Sequence, residues 1–138
     1  MKVENERYKR RPDFALIDLI HNLQVENMRD SQAIYNDIGS VLIAAAPDNA
    51  AKIIARAELS PEDDHCKCEF DYVDSISGET NWFTAGAQAN ADLLDLLVEL
   101  RRFFVDNISS QQPSFWHACE ITVDVETLRI VINFKYAA

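Results

Sequence analysis

The chain has 138 residues, with three Gly, four Pro and three Cys, and 48% of its residues are hydrophobic. That is the length of one domain with enough apolar material for one core, and it excludes low-complexity linkers and glycine-rich phosphate loops. Thirteen basic residues against 23 acidic ones give a net charge of −10, a field that repels nucleic acid and favours a basic partner.

The first residues are polar and charged, without the apolar segment of a signal peptide. The longest apolar stretch, residues 41–46, is too short to span a bilayer. The expectation is a soluble cytoplasmic protein with no membrane partner. Three cysteines, two of them separated by one residue, do not make a disulfide framework and suit a reducing compartment.

In chain order, residues 12–28 read as a helix. Phe14, Ile17, Ile20 and His21, then Gln24 and Met28, recur at three- and four-residue spacing, and Pro12 suits a first turn. Residues 31–46 repeat the pattern, with Ser31 as a cap and Ile34, Ile38, Val41, Leu42 and Ala45 on one face. Pro47-Asp48-Asn49 ends that helix. Residues 52–59 alternate as a half-buried strand, with Ile53, Ala55, Ala57 and Leu59 inward. After a polar turn at 60–65, residues 66–73 alternate again. Cys66, Cys68, Phe70 and Tyr72 form the inward, reduced and buried row. Ser77-Gly78 marks a turn, and residues 80–84 suit a short third strand.

Residues 90–107 carry the strongest helical pattern, with Leu93, Leu96, Leu97, Leu100, Phe103 and Phe104 on one side and Asn90 as the cap. Residues 109–113 read as a loop. Residues 115–123 and 128–136 then form a hairpin around a turn at 124–127. Alternation puts Phe115, His117, Cys119, Ile121 and Val123 on one face. Trp116, Ala118, Glu120 and Thr122 fall on the other, where Trp116 is either a binding anchor or a cover for the back of the sheet. The order α-α-β-β-(β)-α-β-β predicts an α+β fold, an antiparallel sheet with helices on one face. It is a single domain, 1–138, with residues 1–30 as a helical extension and residues 31–138 as the core.

Charge is distributed unevenly. Residues 1–30 are neutral, and their basic run at 7–11 is offset by nearby acids. Residues 58–79 hold eight acids against Lys67 alone. Seven of these acids, Glu62, Asp63, Asp64, Glu69, Asp71, Asp74 and Glu79, with Trp82 as an aromatic anchor, make the candidate docking surface for a basic protein.

Other chemistries need different constellations. His65, Cys66 and Cys68, with His117 and Cys119, supply metal-binding residue types, but their spacing is not that of the common zinc modules. They constitute the alternative, a small metal-binding module or metal-dependent enzyme. A Cys-His pair can act as a nucleophile, yet the chain has no GxSxG elbow. Glu62, Asp63 and Asp64 can hold a divalent cation or form a solvated turn. No catalytic residue, metal ligand or cofactor is assigned.

The segment "AIYNDIGSVLIAAAPDNAAKIIARAEL" combines Ile-Tyr-x-x-Ile, a helix, a Pro and a strand. "FWHACEITVDVETLRIVINFKY" adds an early Trp, alternation, a turn Asp and Phe-x-Tyr. Over residues 31–136 this resembles the YezG-like immunity proteins of bacterial polymorphic-toxin and contact-dependent growth-inhibition systems. The motif positions are Tyr35, Pro47, Trp116, Asp124, Phe134 and Tyr136. Two departures stand out: residues 1–30 lie outside the match, and Val125-Glu126 follows Asp124 where the family has Gly. The resemblance implies a noncatalytic immunity protein that neutralises a cognate toxin C-terminal domain, in many such systems a nuclease with a basic cleft. It leaves the toxin and any self-association open.

Overall fold

The computed structural model describes residues 25–107 and 116–136. The element order is α1 (Val25–Ala45), β1 (Ala50–Leu59), β2 (Cys66–Asp74), β3 (Thr80–Phe83), α2 (Ala87–Asn107), β4 (Trp116–Asp124) and β5 (Arg129–Tyr136). The fold is α+β, as expected. Residues 12–24 of the first expected helix, the 109–113 loop and Phe115 lie outside the described residues.

All five strands join one antiparallel sheet in the order β3-β2-β1-β4-β5. Successive strands β1, β2 and β3 are joined by turns. The chain then crosses through α2 to place β4 on the free side of β1. Both helices cover one sheet face. From α1, Ile34, Tyr35, Ile38 and Leu42 are buried; from α2, Leu93, Leu97, Leu100 and Phe103. They meet Ile53, Ala55, Ala57, Leu59, Phe70, Ile121, Val123, Ile130 and Ile132 from the sheet. The side-chain period of two in the strands and the three-and-four spacing in the helices thus converge on one core.

Several expectations need correction. The chain does not break between residues 28 and 31: α1 runs continuously through Arg29 and Asp30, and Ser31 is buried inside the helix rather than capping it. The second helix begins at Ala87, not at Asn90. Gly86 adopts φ 95° just before it, and the amide of Asn90 donates to the Gly86 carbonyl at 3.0 Å. A left-handed start suits glycine, which has no Cβ to clash. Cys66 and Cys68 occupy the inward row but are half-buried rather than enclosed.

The largest correction concerns Trp116. Opposite β5 it pairs with Tyr136, whereas Ala118 pairs with Lys135, so His117 is an inserted residue. This bulge turns Trp116 onto the helix-covered face and leaves His117 exposed. Trp116 is fully buried, its ring 5.1 Å from that of Phe134. It is a core residue, neither an anchor nor a cover for the back of the sheet.

Two turns share one design. Asp74 accepts from the amides of Ile76 (2.7 Å) and Ser77 (3.0 Å), and Asp124 from those of Glu126 (3.1 Å) and Thr127 (3.0 Å). In each, the fourth residue after the Asp donates back to its carbonyl and has positive φ: Gly78 at 75° and Leu128 at 59°. Leu128 thus holds a conformation that costs a branched residue roughly 1–2 kcal/mol. Its side chain is buried, which offsets that strain.

Candidate functional site

The acidic candidates divide by what their carboxylates already do. In the β1–β2 turn, Ser60 Oγ accepts from the amides of Asp64 (3.2 Å) and His65 (3.1 Å) and donates to the Asp64 carboxylate at 2.9 Å. This wiring leaves Glu62, Asp64 and His65 exposed. Asp63, at φ 64°, instead turns toward α2, where its carboxylate accepts from Arg101 and lies 3.7 Å from Arg102 Nε. Asp63, expected on an open surface, is half-buried and tied to the second helix.

Arg101 is buried to 2% exposure. Its guanidinium donates to the carbonyls of Leu59 (3.4 Å), Ser60 (2.5 Å) and Trp116 (3.3 Å) as well as to Asp63. It also stands 5.8 Å from the centre of the Trp116 ring. A buried cation requires such company, because an isolated charge in an apolar interior is heavily penalised. Arg101 was not singled out in the sequence. It falls four and eight residues after Leu97 and Leu93, in line with the apolar stripe of α2, and that position was the available signal.

On the sheet face opposite the helices, cross-strand pairing aligns Trp82, Asp71, Ile54, Thr122 and Val131 in one row. Glu69, Arg56, Glu120 and Asn133 form the next. Arg56 Nη2 lies 2.8 Å from Asp71, and Arg56 Nε lies 3.5 Å from Glu69. The hydrogen bond from Arg56 to Asp71 is the main cause of an upward shift in the Arg56 pKa. Exposed Lys52, Lys67, Arg129 and Lys135 share this face. Its charges are therefore mixed, and the acid excess belongs to the turns. Trp82 is 77% exposed and projects from the edge strand β3.

At the far end of β2, Asp74 is also committed. Besides the two turn amides, it accepts from Asn49 Nδ2 at 2.5 Å. These bonds, led by the Ser77 and Ile76 amides, hold its pKa below the usual carboxylate value. Glu79 in the same turn is exposed. The structure therefore places Glu62 and Asp64 at one end of β2, Glu79 at the other, and Glu69, Asp71 and Trp82 between. Nine residues of strand make that span roughly 27 Å, within the diameter of a standard protein–protein contact. Glu62, Asp64, Glu69 and Glu79 are exposed, whereas Asp63, Asp71 and Asp74 brace the scaffold.

Of the metal-binding residue types, Cys66 and Cys68 lie side by side, half-buried, at the start of β2. His65 and His117 are exposed, while Cys119 is buried in the core. Among the described residues, no group of three or more His, Cys, Asp or Glu side chains is placed to hold a metal ion. A cleft of about 700 Å³ between α1 and α2 is lined by small residues including Ala33, Ser40, Ala44, Ala85 and Ala89. Its acids are Asp37 and Asp92, and it contains no thiol or imidazole. No helix among the described residues is long and apolar enough to cross a membrane. No family model matches the chain, and no curated protein matches it at a significant level.

Proposed function

We propose that this chain is an immunity protein, a noncatalytic inhibitor that binds a cognate bacterial toxin domain in the cytoplasm. The toxin is read as a nuclease, whose substrate cleft is basic. One observation supports the reading most: Trp82 stands 77% exposed beside Asp71, between turns that display Glu62, Asp64 and Glu79. An exposed Trp on β3, paired with the braced strand β2, offers an apolar anchor, and acids at both ends of β2 attract a basic partner over long range. Arg56, holding Asp71, fixes the floor beneath the anchor. The resemblance over residues 31–136 supplies the class of partner.

The experiment is co-expression of the chain with a polymorphic-toxin C-terminal nuclease domain from the same genome. The pair is expected to co-purify in equal amounts and to relieve the toxin's growth arrest. Charge reversal at Glu62, Asp64 and Glu79 is expected to slow association and flatten its salt dependence without changing the melting temperature. An unchanged on-rate in the triple variant removes the acidic turns from the interface. Failure of wild-type protein to bind or protect removes the immunity reading.

A further inference from the structure

On the helix-covered sheet face, Cys66 and Cys68 point the same way from β2, with their sulfurs 3.2 Å apart. Both are half-buried, at the end of the strand that emerges from the exposed 60–65 turn. Cys68 and Cys119 are both register partners of Ala57, so Cys119 lies two strands away on the same face, deeper in the core. Cys66 pairs with Leu59, whose carbonyl accepts from Arg101. A buried guanidinium thus stands near one member of the sulfur pair.

We propose that Cys66 and Cys68 form a reactive dithiol site for low-molecular-weight disulfides, with Cys66 as the attacking thiol and Cys68 as the resolving thiol.

The two sulfurs are chemically unequal. The hydrogen bond between the two sulfurs lowers the Cys66 pKa against the opposing effect of burial, and the charge of Arg101 lowers it further. The same bond, together with burial, raises the Cys68 pKa. Cys119 is pushed up to about 12, chiefly by burial, and remains a thiol. The thiolate is the nucleophile in disulfide exchange, so Cys66 reacts first. Its sulfur attacks one sulfur of R–S–S–R, forming Cys66–S–S–R and releasing RS⁻. Cys68 then loses its proton, attacks the Cys66 sulfur and releases the second RS⁻. The balance is two protein thiols oxidised by two electrons to one disulfide, and one small disulfide reduced to two thiols, which take up the two protons.

The backbone makes this bond reversible. Same-face neighbours on an extended strand are about 6.6–6.8 Å apart at Cα, the upper end of the range that a disulfide spans. Closing the bond pinches β2, and strained disulfides are readily reduced. The reaction requires no metal and no toxin.

The full-length protein is incubated with glutathione disulfide under nitrogen, quenched with acid and N-ethylmaleimide, and mapped by mass spectrometry. Wild-type protein is expected to lose two hydrogens, with Cys66 and Cys68 protected from maleimide and Cys119 still labelled after denaturation. Cys68→Ser is expected to accumulate a glutathione adduct on Cys66. Cys66→Ser is expected to form an adduct at Cys68 more than about tenfold more slowly. Equal rates in the two variants, or a stable adduct on wild-type Cys66 with no loss of two hydrogens, overturns the proposal. Iodoacetamide labelling of unsubstituted protein adds a readout free of folding effects: Cys66 reacts first, and earlier labelling of Cys68 or Cys119 contradicts the assignment.

Discussion

The guanidinium of Arg101, from the second helix, is bonded to the carboxylate of Asp63 in the turn between the first two strands. The same group holds the carbonyls of Leu59, Ser60 and Trp116, so one buried cation fastens helix, turn and the start of β4 together. Arg101→Met removes the cation, leaves several carbonyls without their donor and leaves Asp63 only the longer contact to Arg102. It is expected to destabilise the fold by about 3 kcal/mol, measured by urea denaturation. A loss within the ordinary scatter of surface substitutions, about 0.5 kcal/mol, contradicts this role.

The two tryptophans make opposite fluorescence predictions. In Trp116→Phe the remaining Trp82 is expected to emit at the wavelength of a hydrated indole and to be quenched freely by iodide. In Trp82→Phe the remaining Trp116 is expected to emit further to the blue and to resist quenching. The reverse assignment contradicts the bulge at His117. Trp116→Ala is expected to cost about 3–5 kcal/mol, since it empties a fully buried site.

Leu128 permits a test of backbone strain against burial. At φ 59° it occupies the place that Gly78 fills in the other Asp-led turn. Both Leu128→Ala and Leu128→Gly lose the buried side chain, at about 2–4 kcal/mol. Glycine also removes the left-handed strain, so Leu128→Gly is expected to be no less stable than Leu128→Ala by denaturant midpoint. A glycine variant weaker by about 1 kcal/mol, the ordinary rank of the two residues within regular structure, contradicts the strain.

Asp74 gives a pH prediction. Its folded-state pKa is lowered by the Ser77 and Ile76 amides, so its contribution is present above the unfolded carboxylate pKa and lost as pH falls through the folded one. The carboxyl carbon of Asp74, followed by NMR, is expected to titrate below about 3.9, the value for a free Asp. Asp74→Asn is expected to lose part of the acid limb of the stability profile. A midpoint at or above the free value contradicts the turn geometry.

Much of this architecture was legible in the sequence, because periodicity reports which side of an element is buried. Ile53, Ala55, Ala57 and Leu59 alternate as strict alternation predicts, and Leu93, Leu97 and Leu100 share one face of α2. What was not legible depends on contacts distant in sequence. No local signal marks His117 as an inserted residue, since the bulge is defined by its pairing with β5. Arg29-Asp30-Ser31 resembles a helix boundary, yet α1 continues through it because Ser31 and Ile34 are packed in the interior. Among the acids, spacing revealed density but not employment. Asp63, Asp71 and Asp74 are engaged by Arg101, Arg56 and turn amides, whereas Glu62, Asp64 and Glu79 face solvent.

The most direct test of the proposed role is calorimetric titration of the purified chain with the candidate toxin domain, comparing wild type with Trp82→Ala. The account predicts one-to-one binding by wild type and a loss of about 30-fold or more in the variant, the scale of a central aromatic anchor, with an unchanged melting temperature. Equal affinity of wild type and Trp82→Ala would contradict the assignment of this surface, and absence of binding by wild type would contradict the function.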